Sequence, residues 1–135
     1  MVVFSNHRLG PSAELFVSEE VARIVLSETV AAARPFAKAR WELELVLWLD
    51  SRAGVGPQVL DVGDIAWTPE HFATQRVFLI QAIQRASLCG EHGLVFDRWR
   101  RMIEAHPAES VQVGRRWQWP SNYPINPDLA GTNLA

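Results

Sequence analysis

Cysteine occurs only once in the 135 residues, as Cys89. A single thiol cannot close an intramolecular disulfide, so nothing ties this chain to an oxidising compartment. Lysine also occurs once, at Lys38, beside twelve arginines. No Gly-x-x-x-x-Gly-Lys-Ser/Thr phosphate loop can therefore be written, and Schiff-base chemistry would have to use Lys38. Neither sign of charge is in large excess: thirteen basic residues against fifteen acidic ones give a net charge of −2. That balance disfavours nucleic acid as a partner of the whole domain. Long apolar runs are missing too. The longest, Leu45 to Leu49, is far short of the roughly 20 residues that span a bilayer, so no membrane partner is expected. Residues Met1 to Arg8 lack the basic and apolar segments of a signal peptide, and the expected location is the cytoplasm.

Catalytic signatures are equally sparse. The histidines are His7, His71, His92 and His106, and none stands three or four residues from another histidine, so no local histidine pair for zinc exists. Cys89 lies in Ser87-Leu-Cys-Gly90, at a predicted helix end rather than at the positive helix N-terminus that activates a thiol. There is no Gly-x-Ser-x-Gly elbow. No cofactor is expected.

What remains is an ordinary globular composition, 48% hydrophobic and 21% charged. The length suits one domain, and we read residues 1–119 as a single α+β unit followed by an irregular C-terminal tail at 120–135. Ser18, with Glu19 and Glu20 after it, is a good helix start, and the apolar positions Val21 to Ala33 carry that helix to the turn before Pro35. From Trp41 to Asp50 the odd positions Trp41, Leu43, Leu45, Leu47 and Leu49 are all large and apolar. Alternation of this kind predicts a strand with the odd set facing the core. The cluster Ser51 to Pro57 predicts a turn, and Val59 to Trp67 a return strand. Thr68-Pro69-Glu70 predicts a helix start, with the helix running to about Ser87. Val95 to His106 predicts a further amphipathic helix that Pro107 stops, and Val111 to Trp119 a last strand. A short strand at Val2 to Phe4 is a further option. The order is thus α-β-β-α-α-β: a small antiparallel sheet of about three to four strands, packed on one face by three helices.

On this reading Trp48 points away from the core, among Glu42, Glu44 and Asp50. Residues 35–67 hold three basic and five acidic side chains, the latter including Asp61 and Asp64. An aromatic anchor rimmed by acids suits a protein interface for a basic partner, with burial at the anchor and steering from the charge. The expected function is therefore a protein-binding module that neutralises or masks a basic protein. Trp48 is the anchor, Glu42, Glu44 and Asp50 are the rim, and Asp61 and Asp64 contribute less. Size and charge match the small bacterial immunity proteins that neutralise toxins, an analogy of class that rests on no motif. Three other readings compete: a homodimer through the same strand face or a sheet edge, a small enzyme or metal protein using the hairpin carboxylates with a distant histidine, and a nucleic-acid contact at Arg115, Arg116 and Trp117.

Overall fold

The structure is a computed structural model and describes residues 1–10 and 13–108. Strand β1 (Val2–Ser5) opens the chain and leads into a 3-10 turn at His7–Leu9. Strand β2 (Glu14–Val17) returns antiparallel to it, followed by helix α1 (Glu19–Ala33) and helix α2 (Arg40–Ala53). Strand β3 (Gln58–Asp61) then pairs with β1 in parallel. Helix α3 (Phe72–Cys89) and helix α4 (Gly93–Glu104) complete the described chain. The class is α+β, and the sheet is mixed, with β1 in the centre and the order β2-β1-β3. The parallel pair needs a long crossover, which the two helices between β2 and β3 supply.

Local chemistry explains most of these boundaries. The Ser18 hydroxyl accepts from the Val21 amide at 3.2 Å, the capping bond that opens α1. The N-terminus of α2 is closed from inside: the Glu42 carboxylate accepts from the amides of Lys38 (3.0 Å) and Ala39 (2.7 Å). Helix α4 buries Phe96, Trp99, Met102 and Ile103, and its outer face is laced by Arg100 to Asp97 (2.7 Å) and Glu104 (2.6 Å).

The main correction concerns residues 41–50, which form the body of helix α2 and not a strand. Glu44 to Leu49 are six consecutive buried residues, because α1 and α3 both pack against this helix. A helix enclosed all round shows no 3.6-residue period, and the apparent alternation of leucines is accidental. Leu and Glu are strong helix formers, and Val46 is the only β-branched residue between Trp41 and Asp50. Without that strand the expected antiparallel hairpin is lost. The return strand shrinks to β3, which finds β1 instead, and the short strand at Val2 becomes the centre of the sheet.

Helix α3 starts later than Thr68. The Thr68 amide is held by the Gln75 side chain at 2.8 Å, and Pro69–His71 form a turn before the helix begins. The predicted strand Val111–Trp119, its Arg115, Arg116 and Trp117, and the tail at 120–135 lie outside the described residues.

Side chains of the sheet alternate between two faces. Val2, Phe4, Val17 and Leu60 turn inward to the core, with Val25 and Leu26 of α1 and Leu79 and Ile83 of α3 in the same cluster. The Phe4 ring meets Trp99 of α4 with centroids 5.2 Å apart. Burying each such side chain is worth about 1.5–3 kcal/mol. Among the described residues no helix is long and apolar enough to cross a membrane.

Candidate protein-binding face

Helix α2 scatters the residues that the strand reading gathers. Trp48 is 3% exposed and belongs to the core, with the Arg52 guanidinium 5.6 Å from its ring centre. It is not a surface anchor. Glu44 is buried as well. Glu42 is spent on the cap of α2, and Asp50, near the other end of that helix, pairs with Arg34 at 3.1 Å. Eight residues of helix separate Glu42 from Asp50 by about 12 Å along the axis, so they rim no common anchor. Asp64 is exposed in the turn after β3.

Asp61 has a structural setting of its own. One carboxylate oxygen accepts from the Ser5 hydroxyl (2.9 Å) and the His7 amide (2.8 Å), and the other accepts from the Gly63 amide (2.9 Å). The His7 ring nitrogen Nδ1 lies 3.3 Å from the first oxygen. Burial works to raise this carboxyl's pKa, but the two amides, the hydroxyl and His7 together outweigh it and hold the group below its ordinary value. The cluster therefore ties the ends of the parallel strands together with an ionised carboxylate. Asp61 does meet a histidine distant in the chain, and among the described residues no group of three His, Cys, Asp or Glu side chains could hold a metal ion.

An exposed aromatic on the sheet lies elsewhere. Pairing aligns Phe16 of β2, Val3 of β1 and Val59 of β3 across the sheet. All three point away from the helices, and Phe16 is 59% and Val59 54% exposed. Met1, at the start of β1, and Val55, in the loop before β3, are also exposed. The helices cover the inner face of this sheet, and the outer row stays open.

One acidic side chain shares the face of the row, and two more stand at one end of the sheet. Glu14 lies two residues before Phe16 on the same face of β2. Glu19 and Glu20 stand at the exposed start of α1, where they line a shallow cleft of about 510 Å³ with Arg23, Ala53 and the loop Gly54–Gly56. This cleft is at the end of the sheet where Val2 pairs with Val17 and Gln58. An exposed phenylalanine with aliphatic neighbours and one carboxylate on its face is thus present, built from residues the sequence reading did not select. One local signal pointed to it. Glu14-Leu-Phe-Val17 contains a β-branched and an aromatic residue, but at four residues it is too short to stand out from a loop.

Comparison with known protein families, with curated proteins and with solved structures finds no match.

Proposed function

We propose that this chain is a protein-binding module that neutralises or masks a basic partner, and that the partner seats on the open sheet face. The observation carrying the proposal is the row Phe16–Val3–Val59, in register across three strands and exposed at both ends, with Glu14 on the same face and Glu19 and Glu20 at one end of the sheet. Apolar area at the row supplies affinity on burial, while the carboxylates raise the association rate for a basic surface and select against acidic ones. Sheet backbone holds the anchor in place, so little ordering is needed on binding. We assign the activity to the cytoplasm, where the exposed free thiol of Cys89 would persist.

The test is capture of partners from lysate with wild type, Phe16→Asp, and the Glu19→Lys, Glu20→Lys double variant, beside sedimentation of each protein alone. A basic protein bound stoichiometrically by wild type and lost by both variants is the expected result. Retention of the same partner by Phe16→Asp overturns the proposal. A wild-type dimer that Phe16→Asp disperses would assign the face to a second copy of the chain instead.

A further inference from the structure

The described chain ends beside the sheet. His106, just beyond α4, is held on two sides: its carbonyl accepts from the Arg76 guanidinium at 2.9 Å, and its Nδ1 lies 3.4 Å from the Asn6 side-chain oxygen. Asn6 directly follows β1, and Ser5 before it pairs with Glu14, the first residue of β2. Residue 108 therefore leaves the fold near the end of the sheet where β2 begins. The sequence continues as residues 109–135, and from Ser110 to Pro127 it carries Arg115 and Arg116 and no acidic side chain. The odd positions Val111, Val113, Arg115, Trp117 and Trp119 would give an extended segment one apolar face with a single cation on it.

We propose that residues 111–119 are an internal strap that docks in extended form on the outer face of the sheet, with Trp117 over Phe16 and Val3 and Arg115 on Glu14. The two patterns match in spacing. Glu14 and Phe16 stand two residues apart on one face of β2, about 7 Å along the strand, and Arg115 and Trp117 have the same separation. They match in direction as well. A segment entering from the Glu14 end runs the same way as β2, so Arg115 reaches Glu14 first and Trp117 then meets Phe16. Trp119 falls at the far end, where Met1 is exposed. At about 3.3 Å per residue, the stretch from 108 to 115 reaches about 23 Å, whereas neighbouring strands are only about 5 Å apart. Glu14 has no ion-pair partner among the described residues, and the Phe16 ring is the exposed aromatic of the sheet. The strap supplies a cation to the first and an indole to the second, both in the free chain. It does not rest on the partner reading, but a basic partner that takes this face has to displace it, which makes the contact autoinhibitory.

NOE spectroscopy on the isolated full-length chain tests this. Wild type is expected to show NOEs from the Trp117 indole to the Phe16 ring and the Val3 methyl groups, unchanged on dilution, with those methyls shifted upfield by the indole. Trp117→Ala should remove the upfield shift without moving the core methyls of Val25 and Leu79. Glu14→Arg should abolish the NOEs, and adding Arg115→Glu to it should restore them. Absence of the NOEs in wild type overturns the proposal, as does a Val3 shift that survives Trp117→Ala. NOEs that fade on dilution overturn it in favour of a second copy of the chain. A charge-swapped double variant that stays without the contact also overturns it. Stoichiometric capture of a basic partner by a chain lacking these NOEs would remove the strap and leave the partner reading standing.

Discussion

Replacing Trp48 by alanine separates the core assignment of α2 from the surface assignment that the leucine alternation suggests. The side chain is 3% exposed, and a buried tryptophan withdraws on the order of 150–250 Å² from water. At about 25 cal/mol per Å² that transfer alone is worth about 4–6 kcal/mol. Measured truncations of large aromatic core residues fall in a similar range, about 3–5 kcal/mol. Against a total stability of about 5–15 kcal/mol, Trp48→Ala removes about a quarter or more. With a urea slope near 2 kcal/mol per molar, the unfolding midpoint should drop by about 2 M. The assay is equilibrium urea unfolding followed by circular dichroism, with Phe16→Ala run in parallel. Phe16 is more than half exposed, and its truncation should stay within about 1 kcal/mol of wild type. Trp48→Phe retains a ring in the same space and should lose much less than the alanine variant. A Trp48→Ala protein within about 0.5 kcal/mol of wild type would refute the core assignment and return Trp48 to the surface.

Other outcomes follow from the same contacts. Asp61→Ala leaves the Ser5 hydroxyl and the amides of His7 and Gly63 without their acceptor, which should lower stability by roughly 2–4 kcal/mol in urea unfolding. The pH dependence has a definite sign. Because the Asp61 pKa is lowered in the fold from 3.8, its contribution is fully present above that pH and disappears as pH falls through the folded-state value. Acid unfolding of Asp61→Asn, followed by circular dichroism, should show a correspondingly weaker dependence in that range. Gly90→Ala would bring a methyl group against the Glu28 carboxylate and within 2.9 Å of the Phe96 ring. This overpacking should lower the thermal midpoint, by about 1–3 kcal/mol in free energy, where an ordinary exposed Gly→Ala change would not.

Where a boundary depends on adjacent side chains, it was legible in the sequence. Ser18 begins α1 because its hydroxyl reaches an amide three residues on, a bond available to any chain with that spacing. The stripe Phe96, Trp99, Met102 and Ile103 marks α4 because one face of that helix meets the core and the other meets water. The α+β class was legible for the same reason, since its helices and at least one strand carry such local signals. Residues 41–50 carry no such contrast. A helix packed on all sides keeps apolar residues at positions of every phase, and their spacing then fits a strand as well as a helix.

The open sheet face was hidden for a different reason. Val3, Phe16 and Val59 are far apart in the chain and join only through the register of β2-β1-β3. Each reads in isolation as a routine core residue, and only the helices on the inner face decide which side of the sheet is left open. His106 and Asp61 show the same division. Their residue types gave them the capacity to titrate, but their environments come from Asn6, Trp67 and Phe72 in one case and from Ser5, His7 and Gly63 in the other. Composition and local capping determined that this chain folds into helices and a small sheet. Long-range packing decided which tryptophan is buried and which face of the sheet stays open, because burial is a property of neighbours brought together from across the chain.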